Sequence, residues 1–178
     1  MAATQTVQVA HLGAKVGYAI SNGKLDTAKP TCVMINSMNT TASLYKPQMN
    51  SSKLTNVMNV LAIEPLGHGA TSCNSDHFTY WDTALVALQA MTELGVDKAF
   101  ALGTSQGGWV VVRMALLAPE RGLADPVYNS IIPKEHINLF TSSKEAKIDF
   151  LEGGAHFLSA SHPNEVEAAL VEMVNKYK

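Results

Sequence analysis

Short apolar runs alternate with longer amphipathic segments along this chain. The runs Thr31–Ile35 and Val57–Ile63 are continuously apolar, which is typical of strands that are buried on both faces. Turn-forming residues such as Gly13 and Asn22-Gly23 bound shorter segments near the start of the chain. Four further strands are predicted by the same reasoning: Thr6–Leu12, Lys15–Ser21, Lys98–Leu102 and Lys147–Leu151.

The segments between the strands carry helical periodicity. In Phe78–Gly95, the apolar residues Trp81, Leu85, Leu88 and Met91 recur at helical spacing, and Thr79 followed by Asp82 resembles a capping box. An apolar stripe also predicts a last helix that starts at Pro163 and includes Val166, Leu170, Met173, Val174 and Tyr177. Other helices are predicted over Ser43–Lys53, Gln106–Leu117 and Lys134–Phe140.

Alternating strands and helices predict an α/β fold, with a mostly parallel sheet flanked by helices on both faces. The 178 residues suffice for a single domain over the whole chain, 1–178. In such sheets ligands bind beyond the carboxyl ends of the strands. We therefore expect catalytic or binding residues directly after the strands.

Composition narrows the possible partners. With a net charge of −2, the chain has no electrostatic basis for binding nucleic acid or an anionic membrane. The first ten residues are polar and lack the apolar run of a signal peptide, and no stretch approaches the ~20 apolar residues of a membrane helix. Cys32 and Cys73 show no CxxC pattern and are interpreted as reduced thiols. We expect a cytoplasmic protein that acts on a small molecule.

The segment Gly103-Thr104-Ser105-Gln106-Gly107 matches G-x-S-x-G. A predicted strand runs directly into it and a predicted helix runs directly out, which is the context of a nucleophile elbow. The glycines would relieve crowding around a sharp turn, and Ser105 would lie at the positive end of a helix. The alternatives are a serine that only caps the helix and a phosphate-binding loop, although G-x-x-x-x-G-K-[ST] is absent.

A serine hydroxyl needs a base to take its proton. Among the six histidines, His156 is preferred because it follows the predicted strand Lys147–Leu151 through a Gly-Gly turn, and so lies at the edge where Ser105 lies. His68, in Gly67-His68-Gly69, is the most serious rival. Asp125, between Ser105 and His156, can orient the base, but a residue before Pro126 can equally form a turn.

Four segments together resemble the α/β-hydrolase superfamily, in its branch of esterases, epoxide hydrolases and dehalogenases. They are the elbow, a D-x-x-G-x-G-x-S loop with Glu64 in place of aspartate, the G-x-x-D-x-V acid loop, and the segment around the catalytic histidine. Their residues are Gly103–Gly107, Ile63–Ser72, Gly122–Val127 and Gly154–Val166. The order Ser…Asp…His also agrees with this superfamily.

The resemblance implies a Ser105–His156–Asp125 triad. Epoxide hydrolases and dehalogenases of this branch carry aspartate at the elbow, so a serine favours acyl transfer from an ester, thioester or lactone. The implied oxyanion hole uses backbone N–H groups of Met38 and Gln106, although Asn36-Ser37 replaces the family's His-Gly. No metal or cofactor is implied. Cleavage of a carbon–carbon bond by the same triad and a non-catalytic binding domain remain alternatives.

One departure from the family concerns the junction between Arg121 and Gly122. The family carries a strand, a helical cap and another strand between the elbow helix and the acid loop, and here Pro119-Glu120-Arg121 leads straight into Gly122. Two outcomes are expected. If the chain is continuous, Glu120 to Asp125 is extended and either pairs as an improvised strand or leaves Asp125 out of the triad. If residues are missing at the 121/122 junction, Arg121 and Gly122 lie too far apart for a peptide bond and the triad is intact; the second outcome is favoured.

Overall fold

A computed structural model describes residues 4–121, the backbone of 127–128, and residues 151 and 154–177. Within these residues six strands form one sheet in the order β1-β2-β4-β3-β5-β6. β4, β3, β5 and β6 are parallel, whereas β1 and β2 join the sheet antiparallel. The strands are β1 (Gln5–Gln8), β2 (Lys15–Ile20), β3 (Thr31–Ile35), β4 (Asn59–Ile63), β5 (Phe100–Thr104) and β6 (Val127–Tyr128).

The sheet is buried on both faces by helices. Along β3, Val33 and Ile35 pack into one cluster while Cys32 and Met34 pack into another, as the two-residue period of a strand requires. The first cluster is completed mainly by α3 (Tyr80–Glu93) and α4 (Gln106–Leu117). The second is completed by α1 (Lys46–Asn50), α2 (Ser52–Thr55) and α6 (Pro163–Tyr177), and α5 (Leu158–Ser161) precedes α6. The predicted fold class is confirmed.

Several predicted boundaries differ from the structure. The strand predicted over Thr6–Leu12 ends at Gln8, because His11–Gly13 forms a 3-10 helix in which Leu12 has φ 53°. The predicted helix Ser43–Lys53 is broken into a 3-10 turn at Ala42–Tyr45 followed by α1 and α2. The helix predicted over Lys134–Phe140 lies outside the described residues. So does the strand predicted over Lys147–Leu151 except for Leu151, which is not in a strand.

Both cysteines are free thiols, as predicted. Cys32 lies wholly inside the sheet, and burial raises its pKa to about 12. This thiol therefore stays protonated and unreactive at neutral pH. In the described part of the chain no helix combines the length and the apolar character needed to cross a membrane.

Candidate active site

Ser105 occupies a strained turn between β5 and α4. Its backbone has φ 55° and ψ −118°, a conformation that is costly for any residue with a side chain, by about 1–3 kcal/mol. The half-buried side chain accepts no capping hydrogen bond from the first turn of α4. The interpretation of Ser105 as a helix cap is therefore wrong.

The two glycines of the motif are required by the close approach of neighbouring backbone. A Cβ at Gly107 would overlap the carbonyl of Ile35 at the end of β3. A Cβ at Gly103 would overlap the backbone of Gly107 and Gly108. The elbow is thus wedged against β3, and its strain is sustained by contacts that no larger residue would permit.

The chain after β3 forms a turn beside the elbow. Thr40 N–H donates to the Ser37 carbonyl over 3.2 Å, and Asn39 in the turn has φ 58°. The buried side chain of Asn36 closes the turn, because its Nδ2 donates to the Thr40 carbonyl over 2.9 Å. Met38, the predicted oxyanion residue, lies in this turn with an exposed side chain. The turn is therefore held by backbone and by Asn36, and the Met38 side chain takes no part in it.

Gln106, the second predicted oxyanion residue, is the first residue of α4. Backbone N–H groups in the first turn of a helix have no partner within the helix, and the helix dipole adds positive potential there. The Gln106 side chain is buried, and its Nε2 lies 3.4 Å from Nε2 of His68. The side chain of Gln106 thus contacts His68, and its backbone N–H is one of the first-turn groups of α4.

His68, the rival base, is already engaged by other groups. Its Nδ1 lies 2.9 Å from the Leu66 carbonyl oxygen, which can only accept a hydrogen bond. Its Nε2 lies 3.2 Å from the backbone N–H of Asn39, which can only donate. In this arrangement Nε2 accepts from Asn39 and Nδ1 donates to Leu66, so the Nε2 lone pair is occupied.

Glu64 connects two loops beside the elbow through hydrogen bonds to their backbone. Its buried carboxylate accepts hydrogen bonds from the backbone N–H of Ala70 over 2.7 Å and of Ala42 over 3.0 Å. One oxygen thus binds the loop after β4, and the other binds the segment that follows the turn at Ser37–Thr40.

A chain of buried hydroxyls, which sequence reasoning missed, lies under the elbow. Tyr45 donates to the Ile35 carbonyl over 2.7 Å and lies 3.0 Å from Thr104 Oγ1. Thr104 Oγ1 in turn lies 3.5 Å from Ser159 Oγ. Burial raises the pKa of Tyr45, so its hydroxyl remains neutral and acts as a donor. Only the strand position of Thr104, next to Ser105, could have drawn attention to this chain.

Ser159 holds the segment that follows His156 beside the end of β5. Besides its contact with Thr104, its carbonyl accepts a hydrogen bond from Gln48 Nε2 over 2.8 Å. His156, three residues earlier, is exposed, and its ring stands edge-on to Phe157 with centroids 5.2 Å apart. The segment that follows His156 therefore lies beside Thr104 at the end of β5. The assignment of His156 as the base stays a prediction.

Asp125 and the Arg121–Gly122 junction lie outside the described residues. Their surroundings are partly defined, because Val127 pairs with Gly103 and Tyr128 with Thr104, alongside the end of β5. Pro119–Arg121 forms a 3-10 helix, so the extended conformation expected from Glu120 onward is wrong for Glu120 and Arg121. The assignment of Asp125 and the predicted break at 121/122 both stay predictions.

An open cavity of about 370 Å³ adjoins this edge. Its walls come from the loop after β4, the start of α3 and the start of α4, and include Leu66, His68, Phe78, Tyr80 and Gln106. The walls are mostly apolar, and the cavity is wide open to solvent. No cluster of three or more potential metal-binding side chains occurs in the part of the chain that is described.

A family model described as "alpha/beta hydrolase fold" matches residues 33–122, about half of the chain. The chain belongs to the alpha/beta hydrolase fold family. The matched region contains the turn at Ser37–Thr40, the Glu64 loop and the whole elbow.

Individual relatives agree with the family assignment. A protein named "Putative non-heme haloperoxidase" from Mycobacterium phage D29 is 25% identical over 120 residues, which are 67% of this chain and 42% of that protein. A solved hydrolase from Pseudomonas aeruginosa PA01 is 30% identical with a TM-score of 0.58, again over 66% of this chain and 42% of that one. This chain thus spans less than half the length of these two relatives.

A third similarity covers both chains almost completely. A "predicted CIB-like hydrolase" from Thermoplasma acidophilum matches 99% of this chain and 100% of its own, with a TM-score of 0.77 and 14% identity. At this identity the likeness concerns the fold alone. A hydrolase fold of similar extent therefore occurs among solved structures.

Proposed function

We propose that this alpha/beta hydrolase cleaves a carboxylic ester, thioester or lactone through an acyl-serine intermediate on Ser105. The observation that carries the proposal is the backbone of Ser105, which is strained and held by Gly103 and Gly107 without using the hydroxyl as a cap. Strain of this kind persists where it exposes a reacting group.

In the proposed reaction, Ser105 Oγ attacks the carbonyl carbon while His156 takes the hydroxyl proton. The negative charge on the carbonyl oxygen is stabilised by the N–H groups of Met38 and Gln106. His156 then gives its proton to the departing alcohol, thiol or ring oxygen. A water molecule repeats the sequence on the acyl-serine and releases the acid and the free Ser105. Asp125 is proposed to orient His156 throughout.

Two other functions are compatible with the same residues. Hydrolysis of a carbon–carbon bond next to a ketone needs the same nucleophile and the same oxyanion donors, and differs only in the leaving group. A non-catalytic binding domain would keep the fold and lose the function of the triad. Labelling of Ser105 separates the non-catalytic domain from the proposal, and the leaving group that is released separates the carbon–carbon hydrolase from it.

The test compares the wild type with Ser105→Ala and with Ser52→Ala, which removes an exposed serine of α2 remote from the elbow. We expect the wild type and Ser52→Ala to hydrolyse short p-nitrophenyl esters and to gain one fluorophosphonate adduct by intact mass. Ser105→Ala should gain no adduct and lose activity by about 10³-fold or more. A wild type that is neither labelled nor active would refute the proposed function.

A further inference from the structure

A single imidazole nitrogen connects the two segments that supply the oxyanion donors. His68 Nε2 lies 3.2 Å from the N–H of Asn39, the residue after Met38, and 3.4 Å from the side-chain amide of Gln106. The ring is fixed on its other side, where Nδ1 donates to the Leu66 carbonyl over 2.9 Å. The loop after β4 thereby holds the turn after β3 against the first residue of α4.

The contact with Asn39 fixes a peptide that has a choice of orientations. Met38 and Asn39 are the central residues of the turn closed between Ser37 and Thr40, and Asn39 has φ 58°. The peptide between the two central residues of a β-turn can point either way, and its direction distinguishes type I from type II turns. An acceptor at His68 Nε2 selects the orientation in which the Asn39 N–H is directed at the loop after β4.

We propose that His68 is a positioning residue of the oxyanion hole, which acts through its unprotonated Nε2 on the turn that carries Met38. The inference rests on the proposed function, because it concerns the same oxyanion donors. His68 does not touch the reacting atoms in this role. It sets the distance between the Met38 and Gln106 N–H groups, on which stabilisation of the oxyanion depends.

The same geometry argues against His68 as the base that activates Ser105. A base must offer a free lone pair to the serine hydroxyl. The Nδ1 proton of His68 is directed at a carbonyl, and its Nε2 already accepts from Asn39. To act as a base, His68 would have to give up the bond to the turn that it holds.

Two substitutions separate these roles, because they place an acceptor at different points of the ring. In His68→Gln, the side-chain oxygen can occupy the position of Nε2 and accept from Asn39. In His68→Asn, the shorter side chain reaches only the position of Nδ1. Removing an oxyanion donor costs about 10²–10³ in kcat, and misplacing one should cost less, so we expect kcat to fall about 10- to 100-fold in His68→Asn. KM should change little, and His68→Gln should recover most of the loss.

A second measurement does not depend on activity. Nitrogen-15 NMR of the wild type should show His68 with its proton on Nδ1 and none on Nε2. Amide hydrogen exchange at Asn39 should be slow in the wild type and in His68→Gln, and faster in His68→Asn. A proton on Nε2, or a His68→Gln variant no more active than His68→Asn, overturns the inference. So does loss in both variants equal to that of Ser105→Ala. An inactive wild type that still shows this tautomer and exchange pattern refutes the proposed function alone.

Discussion

At the scale of single residues, the elbow shows how a strained backbone is enforced by its neighbours. Ser105 itself supplies nothing that favours φ 55°, since its hydroxyl makes no capping bond. The enforcement comes from the contact of Gly107 with the end of β3 and from the contact of Gly103 with the start of α4. The strain therefore depends on two positions that carry no side chain.

Substitution of these glycines should be far more damaging than glycine conformation alone would predict. In Gly107→Ala the new methyl group overlaps the Ile35 carbonyl, a backbone atom that cannot move without shifting β3. We expect a loss of more than ~3 kcal/mol in the free energy of unfolding, or no folded protein. Gly23→Ala is the matched control, because Gly23 has φ 77° and open space around its Cβ position. It should cost only about 1–2 kcal/mol. Urea unfolding measures both, and similar losses would contradict the packing argument.

At the scale of elements, boundaries were predicted best where local chemistry sets them. The bounds of β3 and α4 agree with prediction, because Pro30 precedes one, and Ser105 and Pro119 flank the other. The strand predicted through Leu12 failed for a tertiary reason. The backbone N–H of His11 donates to Gln89 and its ring contacts Asp82, both in α3, and these contacts draw the chain into a 3-10 turn.

The start of α3 gives a prediction on pH. Hydrogen bonds from the Thr79 hydroxyl and backbone N–H, followed by His11, lower the pKa of Asp82 to about 2. Because this value is below the unfolded value of ~3.9, the stabilisation is present above pH ~4 and is lost as the pH falls towards 2. Asp82→Asn should therefore lower stability by about 0.5–2 kcal/mol at neutral pH, as the loss of a capping contact does, and the difference from wild type should shrink as the pH falls through 2.

The control for this pH effect is Asp76→Asn, because the exposed Asp76 carboxylate makes no hydrogen bond within the described residues. Its stability should follow that of the wild type across the whole pH range. Thermal unfolding at a series of pH values measures all three proteins. An Asp82→Asn difference that persists unchanged at pH 2 would exclude the carboxylate as its source.

At the scale of the whole molecule, the connection from the end of α4 to β6 could not be predicted from the sequence. The Arg121 carbonyl accepts from Ala99 N–H just before β5, whereas Val127 pairs with Gly103 near its end. Four residues of strand rise ~13 Å, and the six steps from Arg121 to Val127 can span up to ~20 Å. A two-residue strand without an apolar run leaves no periodic signal, so β6 could not be predicted. The distance from the Arg121 carbonyl carbon to the Gly122 nitrogen still decides the predicted break, and ~1.33 Å would exclude it.

The two faces of the sheet should unfold as one unit, and the positions of the tryptophans make this testable. Trp81 and Trp109, the only two in the chain, lie on α3 and α4, on one side of the sheet. Leu170 is wholly buried in α6 on the other side. Leu170→Ala should lower the free energy of unfolding by about 2–5 kcal/mol through the cavity that it leaves. Leu116→Ala, at a side chain that is 66% exposed, should change it by less than ~0.5 kcal/mol.

The decisive comparison is between two probes of the same urea titration. Tryptophan fluorescence reports the α3–α4 side, and circular dichroism reports helices on both sides. Because β3, β4 and β5 contribute alternate residues to both clusters, a cavity beside α6 should weaken the whole sheet. We therefore expect Leu170→Ala to shift both transitions by the same amount, although neither tryptophan is on its side. A shift in circular dichroism that leaves the fluorescence transition in place would show that the two layers unfold separately.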